Sequence, residues 1–201
     1  MNGKRSEVLG LMATFRKDGE RAQHEAIEQL KDYAGEAVPL LKEALQSSRS
    51  AHVRAWSATA LGVLERGAAM ADLVTALADP AMSVRLHAIQ ALVDFGDTKV
   101  AQAIVPLVRD PSGGVRVNAI EGITKLRLTG AGHEIMARAS DEKWYVRQRV
   151  ARAIAMLNIV NGLPVLHSLS NDPHKAVSNE AKRSLEAMQA KTVVAPNVPA
   201  R

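Results

Sequence analysis

A spacing of 31 residues dominates this sequence. Five valines recur at that interval, an arginine follows each of the first four, and an aspartate stands five residues before each of the last four. The series are Val53, Val84, Val115, Val146 and Val177; Arg54, Arg85, Arg116 and Arg147; and Asp79, Asp110, Asp141 and Asp172. A fixed period of this length is typical of stacked repeat proteins, in which each repeat packs on its neighbours.

Each period predicts two helices joined by a tight turn. In the third repeat, the amphipathic run at 71–77 stops at Asp79-Pro80, which is a turn and helix-start signal. The run at 84–92 then places its apolar residues on one helical face. Gly96 follows where glycine commonly ends a helix. The same pattern recurs along the chain without any strand signal.

The repeats predict an all-α fold, a right-handed α-solenoid of about six helix-turn-helix repeats. We expect a single domain over residues 1–190, because stacking buries a continuous core that no repeat could bury alone. A tail at 191–201 contains two prolines and is expected to be flexible. The expected repeats span 3–33, 35–67, 68–97, 99–128, 130–159 and 161–190.

The amino-acid composition restricts which residues can form the core and which kinds of chemical site the chain can contain. Only 3% of the residues are aromatic, so the core must be built from Ala, Leu, Val and Ile. The absence of cysteine excludes disulfides, thiolate nucleophiles and cysteine-based metal sites, and it fits a reducing compartment. No signal peptide and no apolar run long enough for a membrane span are present, so we expect a cytoplasmic protein.

The net charge of +5 is unevenly distributed. Residues 1–98 hold 11 Lys and Arg against 13 Asp and Glu, whereas residues 99–201 hold 15 against 8. A basic half can attract acidic proteins, nucleic acid or anionic lipid. Charge alone leaves these partners open.

The repeated residues resemble HEAT repeats, in particular the short bacterial and archaeal type called phycobilisome-lyase-like. The residues that carry the resemblance are Asp79-Pro80, Val84-Arg85, Ala88, Ala91-Leu92, Asp110-Pro111, Val115-Arg116 and Ala119. It implies that the aspartate caps the second helix and that the arginine bridges to the acid of a neighbouring repeat. The expected structural ladder is Asp79, Arg85, Asp110, Arg116, Asp141 and Arg147. A ligand-binding row of arginines is the alternative.

The resemblance also implies that the second helices line a concave face. The positions three and six residues after the repeated valine should point there, and they vary from repeat to repeat as a recognition surface requires. The candidate binding residues at these positions are Trp56, His87, Gln90, Asn118, Arg149, Arg152 and Arg183. Trp56 either anchors a partner, as tryptophan often does at interfaces, or packs over small neighbours.

A second candidate surface lies in the turn of the fifth repeat. There Trp144 and Tyr145 stand beside Arg147, Arg149 and Arg152. Such an aromatic and basic cluster could stack a base, a planar ligand or a partner side chain. Alternatively, Trp144 packs on the adjacent turn.

Catalysis is not expected. Some HEAT-repeat hydroxylases hold iron with several His-Glu pairs on equivalent second helices, but here only His24-Glu25 lies on one, and His133-Glu134 begins a first helix. No H-E-x-x-H, phosphate loop or G-x-S-x-G motif occurs, and there is no cysteine for a bilin adduct. We therefore expect no metal and no cofactor.

The favoured function is a non-catalytic protein-binding scaffold or adaptor that captures a partner helix or acidic peptide. The alternatives are a nucleic-acid-binding protein that uses the basic C-terminal half and a phycobilisome-lyase-like accessory factor. The oligomeric state stays open.

Overall fold

The computed structural model of the chain describes residues 2–16, 19–65, 67–97 and 102–194, and within these ranges all regular structure is helical. Residues 102–104 are α-helical, and eleven further α-helices have bounds within these ranges. They are α1 (Asn2–Met12), α2 (Glu20–Leu30), α3 (Ala34–Ser47), α4 (Ala51–Leu64), α5 (Met70–Ala76), α6 (Met82–Phe95), α7 (Gly113–Lys125), α8 (Gly132–Met136), α9 (Trp144–Met156), α10 (Leu163–Leu169) and α11 (Lys175–Val194). Short 3-10 helices cover Ala13–Arg16, Lys31–Tyr33, Val105–Arg109, Thr129–Ala131 and Val160–Gly162.

The chain divides into two compact units, an N-terminal block (Met1–Ile104) and a C-terminal block (Val105–Arg201). In the N-terminal block, α3 packs on α4, α5 on α6, and α4 on α6. In the C-terminal block, the 3-10 helix Val105–Arg109 packs on α7, α10 packs on α11, and α9 contacts both α7 and α11. Each expected repeat thus contains two helical segments, and second helices pack on second helices within each block.

The repeated valine is a core residue in every repeat that carries it. Val84, Val115, Val146 and Val177 have no exposed surface, and Val53 is 6% exposed. The alanines four residues later in the third, fourth and sixth repeats are fully buried as well. Small side chains at these positions let neighbouring helices approach closely, which explains how a chain so poor in aromatic residues fills its core.

The last helix is longer than expected. Helix α11 continues to Val194, so residues 191–194 of the expected tail are helical. Residues 186–194 contain neither glycine nor proline, and Met188 is buried, so nothing ends the helix where the period ends. Residues 195–201 lie outside the described part of the chain.

Gly62 sets the approach of α4 to α6. A Cβ atom at this position would lie 2.7 Å from the Cβ atom of Ala91 and 3.2 Å from its Cα atom. Real Cβ contacts are not that short, and the obstacle includes backbone, which cannot rotate away. Glycine is therefore required for this helix contact.

We expect Gly62→Ala to lower the free energy of unfolding by about 1–3 kcal/mol, because overpacking must push α4 and α6 apart. Gly10→Ala is the matched control, since Gly10 lies in α1 with no heavy atom within 4 Å of the added Cβ. It should raise stability by about 0.5–1 kcal/mol through helix propensity. Urea denaturation measures both, and equal shifts in the two variants would contradict the close approach.

Candidate functional site

Three arginines of the repeat reach the aspartate of the next repeat, 25 residues further along the chain. In each pair the shortest distance between a guanidinium nitrogen and a carboxylate oxygen is 2.7 Å. The side chains are 4–16% exposed. Three pairs of this Arg–Asp ladder are Arg54–Asp79, Arg116–Asp141 and Arg147–Asp172.

Each ladder arginine also donates a hydrogen bond to a backbone carbonyl in the turn of its own repeat. Arg147 donates from Nη1 to the backbone carbonyl of Asp141 at 2.7 Å, and Arg116 donates to that of Asp110 at 2.9 Å. Arg85 makes the same bond, from Nη1 to the carbonyl of Asp79 at 2.8 Å. One guanidinium therefore bonds both the carboxylate of the next repeat and a backbone carbonyl of its own turn, which is a structural role.

The aspartate carboxylates accept hydrogen bonds from the turn that precedes the second helix, and not from the helix itself. Oδ1 of Asp79 accepts the backbone N–H of Ala81, the residue that precedes helix α6, at 2.8 Å. Equivalent bonds join Asp110 to Ser112 and Asp141 to Lys143. The residues at the helix starts receive no side-chain cap. The expectation that the aspartate caps the second helix was wrong, because its carboxylate closes the preceding turn.

Ion pairing keeps the ladder charged. Hydrogen bonds from Arg54 and Arg147 hold the pKa values of Asp79 and Asp172 below the ordinary value of 3.8. The same pairs raise the pKa values of both arginines. Since these charges are already matched, they are poor candidates for a ligand site.

Trp56 lies in the core of the N-terminal block and not on its surface. Its side chain is 5% exposed, so the expected partner anchor is corrected to a packing residue. Aromatic rings surround the indole, with centroid distances of 5.1 Å to His24, 5.2 Å to His87, 6.4 Å to His52 and 6.5 Å to Phe15. Three helices and a 3-10 turn together enclose it.

His87 is one of the rings around Trp56, and its side chain is also hydrogen-bonded. Its Nδ1 atom lies 2.7 Å from Oγ1 of Thr59 in hydrogen-bond contact. Burial, followed by the nearby charges of His52 and His24, lowers the pKa of His87 below 6.5, which favours the neutral ring. Gln90, one turn further, is exposed and donates to Oδ2 of Asp94 at 2.9 Å.

The groove beside these residues measures about 440 Å³ in the N-terminal block. Lys31, Thr59, Gly62, Val63, His87, Gln90, Ala91 and Asp94 line it. Its polar groups bond mainly to one another, so the groove offers a partner few unmatched donors or acceptors.

In the C-terminal block, the residues expected to bind a partner differ in whether their side chains are already hydrogen-bonded or ion-paired. Asn118 donates from Nδ2 to the carbonyl of Gly114 in its own helix at 3.0 Å. Nη1 of Arg149 lies 2.6 Å from Oε1 of Glu121 on the neighbouring second helix. Both side chains of this ion pair remain partly exposed, at 29% and 44%. Arg149 is thus a surface group whose charge is largely matched.

Arg152 and Arg183 are the free cations of this surface. Both are exposed, and neither makes an ion pair with any residue that the structure describes. They occupy equivalent positions, 31 residues apart, on the packed helices α9 and α11.

Trp144 and Tyr145 begin helix α9 at the turn edge of the block. The indole of Trp144 stacks on the imidazole of His174 with centroids 4.1 Å apart and an interplanar angle of 6°. Tyr145 meets Trp144 edge-on at 5.7 Å. Trp144 therefore packs on the next turn and still remains 40% exposed. Sequence reasoning missed His174, although it lies 31 residues after Lys143 and so occupies the equivalent turn position.

The described residues contain neither a candidate metal site nor a candidate membrane span. No group of three or more His, Cys, Asp or Glu side chains is placed there to hold a metal ion. Glu25, from one of the His-Glu pairs, forms an ion pair with Arg21 at 2.8 Å. No helix in those ranges has the length and apolar character needed to cross a bilayer.

Residues 70–132 match the HEAT repeats family. The chain is similar to a solved complex of CpcE and CpcF of phycocyanin lyase from Nostoc sp. PCC7120, with 21% identity, 78% of this chain and 66% of that chain covered, and a TM-score of 0.64. It is also similar to a designed armadillo repeat protein in complex with the peptide (KR)4, with 20% identity, coverages of 89% and 98%, and a TM-score of 0.58.

An engineered protein gives a TM-score of 0.58 at 18% identity, with 91% of this chain and 96% of that chain covered. No curated protein sequence matches the chain. At these identities the solved structures show the fold, which is an all-α solenoid as the period predicts. The match to HEAT repeats covers residues 70–132, and the 31-residue period and the helix pairs continue the same pattern along the described residues.

Proposed function

We propose that this chain is a non-catalytic protein-binding scaffold whose C-terminal block captures an acidic segment of a partner protein on its second helices. One observation carries the proposal. The residues that repeat every 31 positions are buried or paired, whereas the positions that vary include exposed and unmatched cations. Arg152 and Arg183 are those cations.

The two arginines suit a carboxylate-rich segment. They stand at equivalent positions on helices that pack together, so a partner can meet both at once. The planar guanidinium donates to both oxygens of a carboxylate, which makes arginine well suited to such pairs. The Arg149–Glu121 pair beside them adds a polar contact whose charges are already balanced. An aligned acidic segment would therefore bind through Arg152 and Arg183.

The relatives are compatible with protein partners. The designed armadillo protein binds a peptide, and CpcE is found in complex with CpcF. Nucleic acid is less well supported, because the ladder arginines are already paired and Glu121 matches the charge of Arg149. A polyanion requires a continuous row of cations for its phosphates.

We expect Arg152→Glu combined with Arg183→Glu to weaken partner binding at least about tenfold, because attraction at the contact becomes repulsion. The partner is identified by affinity purification from the source cell, and its Kd is then measured with purified components. Arg109→Glu combined with Arg127→Glu makes the same change in net charge at exposed residues outside helices α9 and α11. That control should bind normally, and neither double variant should lower the melting temperature appreciably.

Two outcomes would contradict the proposal. One is equal loss of binding in both double variants, which would show that net charge and not this surface matters. The other is recovery of nucleic acid, with an affinity that falls steeply as salt rises.

A further inference from the structure

An exposed aromatic surface lies at the turn edge of the C-terminal block, and the scaffold function above does not use it. Trp144 is 40% exposed and Tyr145 is 36% exposed, although the core residues around them are almost fully buried. We define the aromatic step as Trp144, Tyr145 and His174. The equivalent turn positions of the preceding repeat are Gly113 and Gly114, which carry no side chain.

The aromatic step is held in place before any partner arrives. His174 covers Trp144 face to face at 4.1 Å, and the backbone N–H of His174 donates to Asp172 at 2.8 Å. Tyr145 lies across the start of α7, where a Cβ atom on Gly113 would be 2.6 Å from its Oη atom. Rings fixed in this way lose little conformational entropy on binding, which favours their use as an interface.

The charges around the step are mainly positive. Lys143 precedes Trp144 with 48% of its side chain exposed, and Lys175 follows His174 and is also exposed. Arg147 contributes no net charge, because Asp172 matches it at 2.7 Å. Glu142 is the exposed acid beside the step, and its carboxylate lies 3.7 Å from Nζ of Lys143. Two lysines thus flank an apolar surface.

We propose that the aromatic step is a second docking surface, which takes a short acidic peptide segment with an apolar side chain at its centre. The apolar side chain packs on Trp144 and Tyr145, and carboxylates on either side pair with Lys143 and Lys175. Tryptophan and tyrosine are favoured at interface centres, with polar groups at the rim. The surface is distinct from Arg152 and Arg183 and does not depend on them.

The same rings could stack a nucleobase, but the charges favour the peptide. A single strand brings a phosphate with every nucleotide and needs a groove of cations along its path. Glu142, whose side chain is 71% exposed, stands next to the lysine that such a path would use. A peptide can place a carboxylate at each lysine and an uncharged residue beside Glu142.

The chain contains two tryptophans, one buried and one exposed, which permits a direct test with an internal reference. The 15N-labelled full chain is titrated with the acetylated peptide EDLFDE while the two indole N–H resonances are recorded. We expect the Trp144 resonance to shift and the Trp56 resonance to stay. Trp144→Ala should weaken binding about tenfold or more, as should Lys143→Glu combined with Lys175→Glu.

Controls separate this surface from its neighbours. Met156→Ala and Val160→Ala remove exposed apolar side chains elsewhere in the block and should leave binding unchanged. Arg152→Glu with Arg183→Glu should also leave it unchanged, so failure of the proposed scaffold surface is distinguishable from failure of this one. The proposal is overturned if EDLFDE leaves the Trp144 resonance unmoved, if the peptide KKLFKK binds equally well, or if a single-stranded oligonucleotide shifts the resonance at lower concentration.

Discussion

Trp56→Ala is expected to lower the free energy of unfolding by about 3–5 kcal/mol, the largest single loss that we predict in this chain. The indole is 5% exposed and touches rings from α2, α4, α6 and the 3-10 turn Ala13–Arg16. Its removal leaves a cavity at the meeting point of these elements. The surrounding rings are fixed on their own helices and cannot fill the space, so both the hydrophobic contribution and the ring contacts are lost.

Trp144→Ala is the matched control for this prediction. It removes the same side chain from a site that is 40% exposed, so much less apolar surface returns to water. We expect a loss of about 1 kcal/mol or less. Urea denaturation followed by circular dichroism compares the two variants. Equal losses, or a stable Trp56→Ala protein, would show that Trp56 is not the packing centre of the N-terminal block.

The period predicted what every repeat must share. Each repeat packs on neighbours of the same kind, so Val84, Val115 and Val146 face the same requirement and are all buried. The separation of 25 residues between arginine and aspartate likewise follows from one repeated contact. Such features could be predicted from the sequence because the same packing requirement selects the same residue in several repeats.

Exposure at the varying positions could not be predicted in this way. Trp56 occupies the position equivalent to His87, and the period assigns both to the same face. Burial of the indole depends on what other elements place around it, including Phe15 in the 3-10 turn. A helical period specifies the direction of a side chain, whereas the volume of its neighbours decides whether water reaches it.

Charge pairing at the candidate surface also could not be predicted from the 31-residue period. Glu121 and Arg149 stand six and three residues after a repeated valine, at positions that the period assigns to one face, and both are partly exposed. The 2.6 Å contact between them changes what the surface can bind, because it removes one cation from the set available to an acidic partner. Only the relative placement of α7 and α9 determines that contact.

Asp172→Ala is expected to lower the free energy of unfolding by about 2–4 kcal/mol. The carboxylate accepts two hydrogen bonds from Arg147, at 2.7 and 3.0 Å, and one from the backbone of His174 at 2.8 Å. Its loss leaves a guanidinium that is only 16% exposed without its acid. Glu186→Ala removes an exposed carboxylate from α11 and should change stability by less than about 0.5 kcal/mol.

The pH dependence of this loss identifies its cause. Hydrogen bonding to Arg147 holds the pKa of Asp172 below 3.8 in the folded chain, so the folded state binds this proton less readily than the unfolded state. The stabilisation is therefore complete above the unfolded pKa and disappears as pH falls through the folded pKa. The gap between the wild type and Asp172→Ala should be widest near neutral pH and close in acid, and a double-mutant cycle with Arg147→Ala should show strong coupling at pH 7. A gap that stayed constant with pH would mean that Asp172 acts through packing and not through its charge.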